Sequence, residues 1–239
     1  MNATVIYSVD GGVATIALNR PEVRNALNLA MCEALLAVSM EISSNEKIKV
    51  VFVRGNGPVF CGGADLKERS GMTEAWIRAR RQKAFDAYEA LEALPMPCIA
   101  LVHGAAIGSG VEIAAACDFI VATADTSFRT PEAQRGTVGA TQRLPRILGK
   151  RLAKDLMFTG RALGVAEAKA AGFVSRVVED LDKEKSEIAA EILKANPLAM
   201  RLAKRSIDRG IELDPQGARE AEIEAIEEQL ASGSYLGKA

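Results

Sequence analysis

Two glutamates and two glycine-rich segments hold most of the chemistry this sequence can offer. Glu112 stands one turn into a predicted small-residue helix, Val111 to Ala116, and the apolar run Ile113-Ala114-Ala115-Ala116 follows it. Such surroundings raise a carboxyl pKa and make it a usable acid or base. Glu132 follows Thr130-Pro131. Taken alone, both acids read as helix-start residues. Ser109-Gly110-Val111-Glu112 fits a capping box, and Thr130-Pro131-Glu132 fits an N-cap, a first-turn proline and a dipole-compensating acid. The segment Gly104 to Gly110 lacks the Lys-Ser/Thr of a phosphate loop, and Ile113 stands where a dinucleotide fingerprint needs its third glycine. What it supplies is a helix start whose free backbone N–H groups can approach an anion or a polarised carbonyl. Phe60-Cys61-Gly62-Gly63-Ala64-Asp65-Leu66 is either a tight turn or a loop presenting the Ala64 N–H with no large side chain in the way. Two such donors meeting at one carbonyl oxygen would form an oxyanion hole, and two carboxylates beside it could move protons.

The composition narrows the alternatives. The chain has 239 residues, 49% hydrophobic and 26% charged, enough to bury one large α/β core. Thirty Lys and Arg nearly cancel 31 Asp and Glu, so no whole-molecule field attracts nucleic acid or an anionic membrane. With one histidine, His103, a multi-histidine metal site is impossible and a Ser/His/Asp triad is disfavoured, which turns attention to carboxylates. His103 itself is expected at a strand end. Cys32, Cys61, Cys98 and Cys117 are far apart in sequence and read as reduced core residues. The sequence shows neither a leader pattern nor a spanning apolar run, and the expected location is the cytoplasm.

The elements that must position these residues follow from periodicity. Alternation from Val5 to Ala17 around Asp10-Gly11-Gly12 predicts a hairpin. Asn28 is a plausible N-cap for a helix with Leu29, Cys32, Leu35, Leu36, Ser39 and Met40 on its apolar stripe. Strands are predicted at Val50 to Val53, Cys98 to Val102, Phe119 to Ala122 and Phe173 to Val178. Further helices are predicted at Thr73 to Leu94, Gln142 to Leu148, Arg151 to Phe158, Val165 to Ala171, Lys183 to Lys194, Pro197 to Arg209 and Pro215 to Ala231. Arg78, Arg80 and Arg81 read as a solvated face of the long helix. In the last three helices Ile188, Ile192, Leu198, Leu202, Ile223, Ile226 and Leu230 form stripes beyond the needs of one core, which points to another subunit.

Several motifs in order then carry a resemblance. Asn19-Arg20-Pro21 with Asn25-Ala26-Leu27, Phe60 to Glu68, His103-Gly104 through Cys117-Asp118, and Pro131-Glu132 together resemble the enoyl-CoA hydratase/isomerase (crotonase) family over most of the chain. The resemblance implies an α/β spiral of β-β-α units over 1–180, with a helical C-terminal region over 181–239 for oligomerisation and active-site covering. It also implies a homotrimer or hexamer and an acyl-CoA thioester as substrate, with no metal or redox cofactor. Position by position, it implies oxyanion-hole N–H groups at Ala64 and Ser109 and catalytic carboxylates at Glu112 and Glu132. Contacts to CoA are implied at Arg24, Ala26, Gly62, Asp65 and Leu66.

Both glutamates together favour hydration of an enoyl-CoA. The alternatives are an isomerase working with Glu132 alone, or a non-catalytic acyl-CoA- or RNA-binding homologue. Two stretches depart from the family pattern. Gly136 to Thr141 is short, which leads to the expectation that acyl groups larger than crotonyl are preferred, and Ser232 to Ala239 lacks the usual terminal motif.

Overall fold

The structure is a computed structural model and describes residues 3–233. The hairpin forms as the alternation predicts. β1 (Val5–Asp10) pairs antiparallel with β2 (Val13–Leu18), and the reversal is made by Gly11 and Gly12, both at positive φ. The next apolar runs, β3 (Val50–Gly55), β4 (Cys98–Val102) and later β6 (Phe119–Thr123), join in parallel. Parallel strands covered on both faces read as continuous apolar runs rather than alternating ones, which explains their composition. Among the described residues the large sheet has the order β1-β2-β3-β4-β6-β9, where β9 is only Arg176–Val178. Phe173 and Val174, assigned to that strand by their apolar character, are instead buried in the main core.

A thinner second layer was not foreseen. It consists of three-residue strands, β5 (Ala105–Ile107), β7 (Ser127–Arg129) and β8 (Ala162–Gly164). Two isolated parallel bridges, Leu27 with Ala64 and Cys61 with Ala106, extend it. Successive strand pairs thus give one member to the large sheet and one to the thin layer before a helix returns the chain, the β-β-α spiral that the resemblance implied.

The helices close the layers. α1 (Leu29–Ser43) is capped by Asn28, whose side chain accepts from the Met31 N–H at 3.0 Å. Its buried face is Met31, Cys32, Leu35, Ser39 and Ile42, while Met40, expected inward, is exposed. α2 (Leu66–Arg69) is a single turn, and α3 (Glu74–Glu92) is capped by Thr73. On α3, Arg78 faces water and pairs with Glu74, but Arg80 is buried and Arg81 half-buried, so the solvated-face expectation fails for these two. α4 (Ser109–Ala115) is short and almost wholly buried. α5 (Arg143–Thr159) is broken at Gly149, where φ is 76°, into the two helices the sequence predicted.

α6 (Val165–Ala170) leads to β9, and α7 (Leu181–Lys194) then lays Ile188 and Ala189 against Val50, Phe52, Ile99 and Leu101 on the sheet's second face. α8 (Pro197–Gly210) and α9 (Pro215–Ala231) pack on one another, with Arg205 paired to Glu228 across them. Of the predicted C-terminal stripe, Ile188 and Leu202 are buried within the chain, whereas Ile223, Ile226 and Leu230 are exposed. From residue 234 onward the atypical terminal stretch lies outside the described residues. Among the described residues, no helix is long and apolar enough to cross a membrane. All four cysteines are free and buried, as the sequence suggested.

Candidate active site

The thin layer brings the chemistry together, because neighbouring parallel strands end side by side. Ala64 follows the segment bridged at Cys61, Ser109 comes two residues after β5, and Glu132 three residues after β7. Ligands in parallel α/β layers commonly bind beyond the carboxyl ends of strands, where the loops diverge. Here Ala64, Ser109, Glu112 and Glu132 all line one cleft of about 710 Å³, mouth included.

Ladder geometry leaves the Ala64 amide free. Leu27 donates to the Gly63 carbonyl at 2.7 Å, and Asp65 donates to the Leu27 carbonyl at 2.9 Å. Alternate amides of an extended segment face opposite sides, so the Ala64 N–H lies on the edge away from Leu27. Ser109 is the first residue of α4, where no preceding turn can accept its N–H. Among the described residues neither N–H donates to a protein acceptor. Arg80, donating to the Leu27 carbonyl, braces this ladder from behind, and the buried Tyr88 lines the same cleft as Ser109.

The cap expectations fail for both glutamates. The residue ahead of α4 is Gly108, at φ 49°, ψ −107°, and no side chain caps that helix. Glu112 instead faces inward, buried, and accepts from Arg143 Nη1 at 3.1 Å. Arg143 also donates through Nε to Glu92 at 3.1 Å, so one guanidinium bridges two acids. Thr130 does not cap either, since its buried hydroxyl has no partner and Glu132 itself precedes the 3-10 turn Ala133–Arg135. The Glu132 carboxylate has one oxygen, Oε2, buried without a hydrogen-bond partner. Burial raises its pKa above the usual glutamate value, and the negative charge of Glu112 adds to this.

The remaining positions divide. Leu66 lines the cleft, while Arg24, Ala26, Gly62 and Asp65 lie in the adjoining loops and do not. Gly62 donates to the Arg24 carbonyl at 2.7 Å, and Arg20 donates to both the Ala26 carbonyl and Asp65. Asp65 also caps α2. Burial opposes its ionisation, but the Arg20 hydrogen bond and the α2 amides outweigh that and hold its pKa below the ordinary aspartate value. His103 follows β4 and hydrogen-bonds the Gly57 carbonyl at 2.8 Å, a strand-end role. Sequence reasoning missed Arg143, which lies 31 positions from Glu112 with no motif linking them. It also missed Gly108 and Gly139, where a Cβ would approach Glu132 to within 2.6 Å of Oε1 and 3.1 Å of Cγ.

Comparison with known proteins identifies the family and the fold. The family model for enoyl-CoA hydratase/isomerase matches residues 8–235. The chain is 41% identical over 213 residues to the mitochondrial enoyl-CoA hydratase domain-containing protein 2 of Bos taurus, covering 85% of this chain and 72% of that protein. It superposes on the enoyl-CoA hydratase of Bacillus anthracis with a TM-score of 0.90 at 37% identity, over 94% and 90% of the two chains. A Thermobifida fusca structure solved with acetoacetyl-CoA gives a TM-score of 0.87 at 27% identity, over 96% of each chain. The chain has the crotonase fold and belongs to the enoyl-CoA hydratase/isomerase family.

Proposed function

We propose that the protein reversibly hydrates the 2,3 double bond of an enoyl-CoA thioester. The observation that carries this is the gathering of two carboxylates and two unpartnered backbone N–H donors around one cleft. In this reaction Ala64 and Ser109 donate to the thioester oxygen, where negative charge grows as the enolate forms. Glu112, its orientation fixed by Arg143, takes a proton from water as the water oxygen bonds to C3. Glu132 gives its proton to C2, and its raised pKa suits a group that must carry one near neutral pH. Exchange with solvent resets both acids. The chemistry requires neither a metal nor a redox cofactor, and CoA enters as part of the substrate. Arg24, Ala26, Gly62, Asp65 and Leu66 are the proposed CoA contacts. The bound acetoacetyl-CoA of the Thermobifida relative supports an acyl-CoA ligand.

The test is incubation with crotonyl-CoA and identification of the product. Appearance of 3-hydroxybutyryl-CoA supports hydration, whereas interconversion of crotonyl-CoA with but-3-enoyl-CoA, the double bond moving between the 2,3 and 3,4 positions without water uptake, supports isomerisation. The isomerase reading is favoured by one observation: Glu112 is engaged by Arg143 while Glu132 keeps an unpartnered oxygen.

Replacing Ala64 by proline deletes one donor and should cost turnover about a hundredfold or more. Circular dichroism and melting separate a lost donor from a lost fold. A folded Ala64→Pro enzyme with a normal rate ends the oxyanion-hole assignment.

A trimer or hexamer is the proposed assembly. Ile207, Ile211, Ile223, Ile226 and Leu230 leave an apolar surface on α8, α9 and the turn between them. Light scattering should give a mass of three or six chains, and a monomer at micromolar concentration contradicts it. The cytoplasm is the proposed compartment, a reducing setting that suits four buried, unpaired cysteines, although the bovine relative is by name mitochondrial.

A further inference from the structure

The cleft is more cationic than a neutral acyl chain requires. Arg69 at the end of α2, Arg80 and Arg81 on α3, and Arg135 beyond β7 all line it, against Glu112 and Glu132. Arg143, from outside the lining, already neutralises Glu112. Arg80 is only 4% exposed, and its Nε has no hydrogen-bond partner. The nearest carboxylate oxygen, Glu68 Oε2, is 3.7 Å away, and both oxygens of Glu68 accept from the Leu29 N–H, at 2.9 and 3.0 Å. Arg81 spends its donors on neutral oxygens, the Thr137 hydroxyl and the Val138 carbonyl. Half-buried Arg69 donates to no acceptor among the described residues, and burial together with Arg81 and Arg80 lowers its pKa. Withdrawing guanidinium groups from water without an anion is costly, and a buried donor left unpaired calls for a partner. Glu68 offers Arg80 a single oxygen at 3.7 Å, and among the described residues neither Arg69 nor Arg81 has a carboxylate within ion-pair distance.

The position of this cluster indicates which part of the substrate it meets. Of the CoA contacts proposed above, Arg24, Ala26, Gly62 and Asp65 lie outside the cleft and only Leu66 lines it, whereas Arg69, Arg80 and Arg81 all line it together with the two carboxylates. With CoA on those outer loops, an acyl chain whose thioester oxygen is held at Ala64 and Ser109 runs into the cleft that these three arginines line. Arg81, moreover, is tied to the very loop that follows Glu132. Resting on the hydratase reading of the same cleft, we propose that the preferred substrate is an enoyl-CoA whose acyl chain ends in a second, free carboxylate, received by Arg69, Arg80 and Arg81. A guanidinium offers a carboxylate two parallel donors, a match that a methyl terminus cannot make.

Binding tests this independently of turnover. Wild-type protein is titrated calorimetrically with the mono-CoA thioester of glutaric acid and with pentanoyl-CoA, which has the same chain length and an uncharged end. The diacid thioester should bind about tenfold tighter or more, the worth of one charge-assisted hydrogen bond. Arg69→Gln should shrink that ratio about tenfold, and Arg69→Lys should retain part of it. Melting curves confirm the fold of both variants. Equal affinity for the two thioesters, or a ratio unmoved by Arg69→Gln, overturns the proposal.

Free CoA and dephospho-CoA form a further arm. If Arg69→Gln weakens CoA but not dephospho-CoA, the arginine serves the CoA phosphate and the acyl assignment is overturned. Hydration assays with the mono-CoA thioester of pent-2-enedioic acid and with pent-2-enoyl-CoA then separate the two levels of the claim. A binding preference without hydration of either compound supports the anion site and ends the hydratase reading. Hydration of both at equal kcat/KM, with equal binding, ends the substrate class alone.

Discussion

Glu132→Gln is expected to slow enoyl-CoA hydration by about a hundredfold to ten-thousandfold, the range that a positioned proton donor contributes. The substitution keeps the shape of the side chain but removes the proton destined for C2, so KM should change far less than kcat. Its effect on stability should be of opposite sign to its effect on rate. Burial raises the Glu132 pKa from the ordinary 4.5, so the folded state holds a proton that the unfolded chain has released once pH exceeds that value. The group's contribution to stability therefore falls as pH rises above the ordinary glutamate range. Glutamine carries no such cost. The variant should melt at or above the wild-type temperature at pH 8, with the difference vanishing below about pH 4.5. An inactive variant that melts lower at pH 8 would assign Glu132 to structure rather than to proton transfer.

The companion Glu112→Gln decides between the two chemistries. Hydration needs Glu112 for the water and should lose as much rate as with Glu132→Gln. An isomerase shuttling its proton on Glu132 alone should keep most of its activity. The pH profile gives a second discriminator, since hydration uses protonated Glu132 and should decline on the alkaline side of its raised pKa. An isomerase base must be ionised, and its rate should rise through the same region.

How legible this site was depended on how local its determinants are. The long strands announced themselves because a sheet buried on both faces needs uninterrupted apolar runs, and Val50 to Val53 and Cys98 to Val102 are such runs. Asn28 was readable as a cap because the bond it makes closes within three residues. The three-residue strands were not, since β5, β7 and β8 are too short to show a period and are defined by partners far along the chain. Those strands are what place Ala64, Ser109 and Glu132 together, so the motifs named the residues while their convergence needed the fold. The capping-box pattern misled for a related reason: the spacing from Ser109 to Glu112 is right, but Gly108 takes the cap position and turns Glu112 toward Arg143. Arg80 was misjudged because charge on a helix usually faces water, and only tertiary packing shows it braced against the Leu27 carbonyl.

Gly108→Ala should be the most damaging single methyl group that can be added near the site. Two independent constraints meet at this residue. Its φ of 49° with ψ of −107° lies outside the regions open to residues with a Cβ, and that Cβ would stand 2.6 Å from Glu132 Oε1. Glu132 must then withdraw, and a displacement of about 1 Å in a catalytic group can cost on the order of a hundredfold in rate. Gly139→Ala offers an internal gradient. Its φ is not positive and its Cβ would meet Glu132 Cγ at 3.1 Å, a crowding that a few tenths of an ångström relieve. The expected order of kcat is wild type, then Gly139→Ala, then Gly108→Ala, with affinity for free CoA nearly constant because neither glycine is among the proposed CoA contacts. Double variants with Glu132→Gln complete the argument. If Gly108 acts through the carboxylate, adding its alanine to Glu132→Gln should cost little further rate, whereas a full hundredfold additional loss shows that the strained turn matters instead through the Ser109 amide that follows it.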